Sequence, residues 1–305
     1  MRPFRFAAMA SRGRSAEHWR QVAQRAEALG YDSLLMPDHI TDQLAPMPAL
    51  AAAAAATTTL RIGSFVFDND YRNPVMLAKE ATTLDLLSSG RLEFGIGAGW
   101  SRRDYQQLGI PYDPPKVRVD RMEEAVTLMK RLWTEDKVTH EGPHYRVREA
   151  TVLPRPTQRP HPPLMIGASG PRMLRIAARE AQIVAFVPSL NRLGLETLRS
   201  MGTESVEKRI AMLRRTPRFS EIELNVIVFD AAVTDAARSV VGALTARLKS
   251  AATAIVESPF LLYGSRASIV EDLLARRERL GISYFAIPGR AMRAFGPVVV
   301  ALRGK

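Results

Sequence analysis

The sequence predicts an α/β chain folded as a (β/α)8 TIM barrel, with insertions after strands 4 and 7. Three observations support this. Short apolar runs alternate with longer helical stretches along the whole chain, and strands that alternate with helices form parallel sheets. A closed barrel and an open doubly wound sheet both satisfy that alternation. The count of eight strand-like runs and the length of 305 residues favour the barrel. In a barrel, catalytic residues sit at the carboxyl ends of strands, so those ends are where chemistry is sought.

Strand 1 is "FRFAAM" (Phe4–Met9). A helix follows in "SAEHWRQVAQRAEALG", where Ser15 can cap the start and Gly30 the end. Trp19, Val22, Ala26 and Leu29 give that helix one apolar face. "DSLLMPDH" is strand 2, and "PALAAAAAATTT" is an alanine-rich helix. "LRIGSFVF" is strand 3. The helix "NPVMLAKEATTLDLLSSG" carries Pro74 in its first turn. "RLEFGIG" is strand 4, and "KVRVDRMEEAVTLMKRLW" is the next long helix. A turn-rich, proline-rich stretch at about 136–162 then interrupts the rhythm. Because the alternation resumes directly after it, it reads as an insertion in a single domain spanning 1–305. Strands 5 to 8 are "PLMIGASG", "QIVAFVP", "IELNVIVF" and "ISYFAIPG". The stretch "VEKRIAMLRR" between strands 6 and 7 is helical. After strand 7, the helix "TDAARSVVGALTARL" is inserted ahead of the helix "RASIVEDLLARRERLG".

Composition narrows the partners. The net charge is +12, which favours anionic ligands. The basic residues are scattered over helix faces, with no tract interleaved with aromatics, so nucleic acid is not the expected partner. The absence of cysteine excludes disulfides, thiolate metal sites and a cysteine nucleophile. His140, His144 and His161 lack regular metal spacing, and no metal is expected. Arg2 and Arg5 break the first apolar run, and no run approaches the ~20 residues of a spanning helix. A cytoplasmic enzyme acting on a small molecule, without a membrane partner, is the expectation.

The strand ends hold the candidate chemistry. Strand 2 ends in Pro37-Asp38-His39, and an imidazole can give or take a proton near neutrality. Strand 3 ends in "GSFVFDND", where Asp68, Asn69 and Asp70 can meet a ligand, and an Asx turn before the next helix accounts equally well for Asn69 and Asp70. Strand 4 ends in "GIGAGW". A dinucleotide fingerprint needs a third glycine that falls on Trp100 or Arg102 instead, and prolines 111, 114 and 115 follow where a helix should. The glycines are read instead as room for a flat ring to approach the backbone. Strand 5 ends in "IGASGPRML", small residues leading into a helix start, which is a phosphate site in the making.

Taken together, "GYDSLLMPDH", "NPVMLAKEATTLDLLSSGRLEFGIGAGW", "HYRVREATVLPRPTQRPHPPLMIGASGPRML" and "GSRASIVEDLLARRERLGISY" resemble the luciferase-like flavin and deazaflavin oxidoreductases. The likeness is greatest to the actinobacterial branch that uses coenzyme F420. The resemblance implies hydride transfer between F420 and a small C=C, C=N or C=O substrate; the alternative is an FMN-dependent monooxygenase using O2. It implies that His39 and Asp38 are catalytic. It places the cofactor against Ser64, Phe65, Phe67 and Asn69, against Gly97, Ala98 and Gly99, and over a phosphate loop of Gly167, Ala168, Ser169 and Gly170. It puts a non-prolyl cis peptide near Ser64-Phe65. It makes Trp100 part of the substrate pocket, standing where related sugar-phosphate dehydrogenases carry a glutamate; Asp104, outside the motif, is placed in the pocket as a substitute acid. It also implies a homodimer, through the alanine-rich helix and its neighbour.

Overall fold

The computed structural model describes residues 1–189, 195–237, 239–240, 242 and 258–305. The fold is the (β/α)8 barrel, built on parallel strands β1 (Arg5–Met9), β2 (Ser33–Met36), β3 (Arg61–Ser64), β4 (Leu92–Gly97), β5 (Leu164–Ala168), β6 (Ile183–Phe186), β7 (Glu223–Ile227) and β8 (Ile282–Pro288). Every residue of β2, β4, β6 and β8 is buried. That explains why these strands read as mostly apolar runs rather than alternating ones.

The chain divides into two compact units. The first comprises Met1–Ala10, Arg25–Leu35 and Gly167–Lys305. Within it β1 pairs in parallel with β8, with Arg5 opposite Tyr284, and with β2, with Ala7 opposite Ser33. β7 pairs with both β8 and β6. Phe6 stacks on Phe285 at 6.1 Å and meets Phe295 of the last helix at 6.1 Å. Helix Arg266–Leu280 starts at Ser265, whose side chain accepts the Ser268 N–H, and stops at Gly281 with φ +75°. The insertion after β7 opens with strand Asp230–Val233, which pairs in parallel with Leu261–Gly264. Most of the helix expected from "TDAARSVVGALTARL" lies outside the described residues.

The second unit comprises Ser11–Gln24 and Met36–Ile166. The alanine-rich helix, Pro46–Ala55, buries Ala49, Leu50, Ala53 and Ala54 against its own chain, and the Trp19 indole N–H donates to the Ala49 carbonyl at 2.7 Å. β3 pairs with β4, leaves the ladder after Ser64, and the pairing resumes at Phe67 opposite Ile96. The interruption holds a non-prolyl cis peptide at Phe65-Val66, one bond beyond the expected place. β4 also pairs with β5, Phe94 opposite Leu164.

The first insertion folds as an antiparallel hairpin, Val138–Glu141 with Arg146–Ala150. Glu124 on helix Pro115–Thr134 pins it. Its carboxylate accepts the His144 and Tyr145 N–H groups at 3.0 and 2.9 Å and meets His140 Nε2 at 2.8 Å. Burial alone would raise the Glu124 pKa, but these donors prevail and lower it. His140 is thus tied to the helix by Glu124. His161 bonds the Pro162 carbonyl and lies against Trp133. Among the described residues no cluster of three or more histidines and carboxylates could hold a metal. No described helix is long and apolar enough to cross a membrane.

Candidate active site

The chain leaves β2 through Pro37 and Asp38 to His39. His39 Nδ1 lies 2.6 Å from Oδ2 of Asp104. Asp104 is only 1% exposed, while the His39 side chain is 27% exposed. The carboxylate therefore fixes the ring at Nδ1 and leaves Nε2 for proton exchange. The Trp100 ring meets the imidazole edge-on, 5.4 Å between centroids at 88°, and is itself 43% exposed.

Asp104 reaches this place on helix Arg102–Leu108, which begins after Ser101 and ends at Gly109 with φ +68°. The sequence reading expected no helix directly after "GIGAGW". A helix of two turns fits between Ser101 and the prolines, and it delivers the acid that faces His39.

Asp38 does not occupy that role. Arg72 grips both of its oxygens, at 3.1 Å for the Nη2 contact, and the Asp68 N–H donates to it at 3.1 Å. Two guanidinium bonds and one backbone bond make Asp38 an anchor for the strand 3 loop. Arg72 also lies over the Phe67 ring at 5.3 Å. Burial would lower the Arg72 pKa, but its bond and charge contact with Asp38 raise it instead.

Behind the pair lies a buried polar cluster. The Asx turn left open for Asn69 and Asp70 is made by Asp68, which accepts the Asp70 N–H at 3.0 Å. The Tyr105 hydroxyl bridges Asp68 at 3.2 Å and Asp70 at 2.8 Å. The Tyr71 hydroxyl lies 3.4 Å from Asp104 Oδ2. Burial first, then neighbouring carboxylates, raise the pKa values of both tyrosines. Asp70 is paired with Arg121.

Burial pushes the Asp68 carboxyl from 3.8 up to about 7, with Asp70 and Asp38 adding to the rise. The folded protein thus keeps a proton that the unfolded chain loses. The stability this gives is fully present below about pH 4 and is lost as pH rises towards about 7, by up to about 1.4 kcal/mol per pH unit. Asp68→Asn removes the titrating group and keeps the oxygen that makes the turn. Its stability relative to the parent is expected to grow across that window, read from urea midpoints at both ends. A difference that stays flat with pH would count against the buried proton.

The other cofactor candidates are mostly engaged by the protein itself. Ser64 is fully buried and bonds the Gly95 carbonyl at 2.7 Å. Phe65 is buried, and Phe67 packs on Phe94 at 5.6 Å. Asn69 donates to the Tyr145 hydroxyl at 3.0 Å. A Cβ on Gly97 would sit 2.8 Å from Val66 Cγ2. The face that the reading left open for a flat ring is thus filled by the strand 3 loop. Ala98 and Gly99 offer their carbonyls to Arg118, which is fully buried and also bonds the Asp113 carbonyl at 2.9 Å.

The glycine loop belongs to the first unit. β5 runs Gly167 and Ala168 into Ser169 and Gly170, and helix Pro171–Glu180 follows. No side chain caps this helix, and a Cβ on Gly170 would meet nothing within 4 Å. An uncapped helix start beside open space suits a phosphate group.

Sequence reasoning missed Tyr71, Arg72, Tyr105, Arg118 and Arg121. A signal existed for some of them. The run "DNDYR" puts two ring or cation groups directly behind two acids, and buried acids need such partners.

Comparison with known proteins adds family and fold. A family model described as luciferase-like monooxygenase matches residues 1–284. An F420-dependent glucose-6-phosphate dehydrogenase of Intrasporangium calvum is 39% identical over 165 residues, 51% of this chain and 49% of that protein. An FMNH(2)-dependent dimethylsulfone monooxygenase of Pseudomonas putida is 29% identical over 166 residues, 52% of this chain and 46% of that protein. The chain spans about half the length of the curated relatives it matches. The coenzyme F420 dependent tetrahydromethanopterin reductase of Methanopyrus kandleri superposes with a TM-score of 0.78 at 18% identity, covering 99% of this chain and 100% of that one. At that identity the likeness shows the fold.

Proposed function

The chain belongs to the luciferase-like monooxygenase family, and from that premise we propose that it is an oxidoreductase transferring hydride between coenzyme F420 and a small organic substrate with a C=C, C=N or C=O group. The observation that supports this best is the His39–Asp104 pair under Trp100. Relatives named as F420-dependent dehydrogenases favour the deazaflavin over FMN.

The residues present fit such a cofactor. Gly167 to Gly170 offer backbone donors at an uncapped helix start, the chemistry that holds a phosphate. Bound F420 supplies or accepts the hydride. His39 gives or takes the accompanying proton at Nε2. Asp104 holds the ring at Nδ1 and offsets the charge of the imidazolium. Trp100 shields one edge of the imidazole from water and presents an apolar wall to the substrate. A glutamate at that position would suit a sugar hydroxyl. With tryptophan there, glucose 6-phosphate is not the expected substrate, and a neutral, less polar one is.

Titrating the purified protein with F420 and with FMN tests the reading. F420 is expected to bind at least about tenfold more tightly, followed by its fluorescence. Tight FMN binding with none for F420 would overturn it in favour of a flavin monooxygenase, the reading that the Pseudomonas putida relative represents. Glucose 6-phosphate is expected to leave the bound cofactor oxidised.

A further inference from the structure

Arg118 is fully buried in the first turn of helix Pro115–Thr134. Among the described residues its hydrogen-bond acceptors are all uncharged: the carbonyls of Ala98, Gly99 and Asp113 and the Tyr112 hydroxyl. A buried guanidinium held without a carboxylate is costly, and an apolar side chain would fill such a place at lower cost. What an arginine adds is a rigid planar fork of donors that fixes several acceptors at once.

These acceptors lie at the two ends of one segment. Nη1 donates to the Ala98 carbonyl at 3.1 Å and to that of Gly99, just past the end of β4. Nε donates to the Asp113 carbonyl at 2.9 Å, and Nη2 to the Tyr112 hydroxyl at 3.3 Å. Segment 100–112 runs out from the first pair of points and returns to the second, and one guanidinium closes it. That segment carries Trp100 and Asp104, the two residues that meet His39.

Neighbouring contacts reinforce the closure. The Tyr112 hydroxyl donates onward to the Trp100 carbonyl at 2.9 Å, so the returning end also holds the outgoing one. Arg118 lies over the Tyr112 ring at 4.3 Å, and the Tyr105 ring meets Tyr112 edge-on at 4.9 Å. Arg121, further along the same helix, donates to the Asp113 carboxylate at 2.9 Å. Both the main chain and the side chain of Asp113 are therefore held.

We propose that Arg118 is a positioning residue that clasps segment 100–112 and so holds Trp100 and Asp104 against His39. The proposal rests on the role given above to His39. Helix Arg102–Leu108 is too short to be stable by itself, so its place is set from outside. The bonds of Tyr105 to Asp68 and Asp70 hold its middle, and Arg118 holds the two ends of the segment. The 2.6 Å contact between Asp104 and His39 leaves little slack. A shift of about 1 Å in a group set for reaction costs up to about 10²-fold in rate.

Two readouts test the clasp. Arg118→Lys keeps the charge and loses the fork, so it cannot reach both ends of the segment. Its kcat is expected to fall about tenfold with cofactor affinity unchanged. In the His39→Ala background the same substitution is expected to cost less than about twofold, because the residues it positions then have no imidazole to serve. The second readout needs neither cofactor nor turnover. Trp19 and Trp133 are buried and Trp100 is exposed, so acrylamide quenching, corrected with Trp100→Phe, follows Trp100. Well below the Tm, quenching in Arg118→Lys is expected to rise about 1.5-fold or more as the segment opens locally. A residue that only stabilised the fold would lower the Tm and leave kcat and Trp100 quenching as in the parent. Parent-like kcat or parent-like quenching in Arg118→Lys overturns the proposal, as does a kcat loss that persists in full beside His39→Ala. If Arg118→Lys does not fold, Tyr112→Phe carries the test. It removes the hydroxyl that holds the Trp100 carbonyl, and unchanged quenching there overturns the clasp. If neither F420 nor FMN supports turnover, the proposed function fails separately. Quenching then decides the clasp alone, a rise supporting it and a parent-like value refuting it.

Discussion

Replacing His39 with alanine is expected to lower kcat by about 10²–10³-fold while leaving F420 affinity nearly unchanged. The imidazole is partly exposed and is held by a buried carboxylate, through the 2.6 Å contact with Asp104. Removing it leaves Asp104 buried without its partner and takes the proton donor from the reacting face. A loss confined to kcat identifies an interaction made in the transition state, whereas a rise in KM alone would point to substrate binding. Asp104→Asn is the companion variant. The amide can still hydrogen-bond Nδ1 but cannot offset an imidazolium charge, so a smaller loss, about tenfold, is expected. Full turnover in His39→Ala with a confirmed substrate would remove His39 from the chemistry. Parent-like turnover in Asp104→Asn alone would leave the histidine and demote the acid.

The fold was legible because its signal is repeated. Eight buried runs of mostly apolar residues, each followed by a helical stretch, leave few topologies. Helix limits set by local chemistry were also legible. Ser15 accepts the His18 N–H at 3.1 Å, Pro74 opens its helix, and Gly30 turns out at φ +82°. The candidate site was legible only in part. His39 stood out because it sits at a strand end. Its partner could not be read, because Asp38 and Asp104 are both acids near a strand end and only tertiary packing decides between them. Arg72 decides it. It is close in sequence to the strand 3 loop and claims Asp38, leaving Asp104 for the ring. The cluster around Asp68 was hidden for the same reason. The proton it holds follows from burial and from the count of cations, and neither is a property of the local sequence.

Gly95→Ala is expected to have the largest effect on stability, although the residue touches none of the proposed chemistry. A Cβ there would lie 2.1 Å from the Ser64 carbonyl oxygen and 3.0 Å from its carbon. Both are backbone atoms, so no side-chain rotation relieves the contact. Ser64 is further tied to Gly95 by its hydroxyl, which donates to the Gly95 carbonyl at 2.7 Å and accepts the Gly95 N–H at 3.1 Å. An added methyl therefore has to push β3 away from β4 and break that reciprocal pair. Overpacking of this kind typically costs about 1–3 kcal/mol, and a backbone clash belongs at or above the upper end. A fall in Tm of about 5 °C or more follows. Gly97→Ala is the control. Its Cβ meets a side-chain methyl, Val66 Cγ2 at 2.8 Å, and valine has other rotamers. Its cost is expected to be about a third of that at Gly95. The comparison separates two explanations for the bare backbone of "GIGAG". If the glycines exist to admit a ligand, both variants fold well and both lose cofactor affinity. If they exist to let the strand 3 loop cross, Gly95→Ala unfolds first and Gly97→Ala binds cofactor almost as the parent does. The Ser64 carbonyl against Gly95 favours the second outcome, and thermal melts of the two variants alongside F420 titrations decide it.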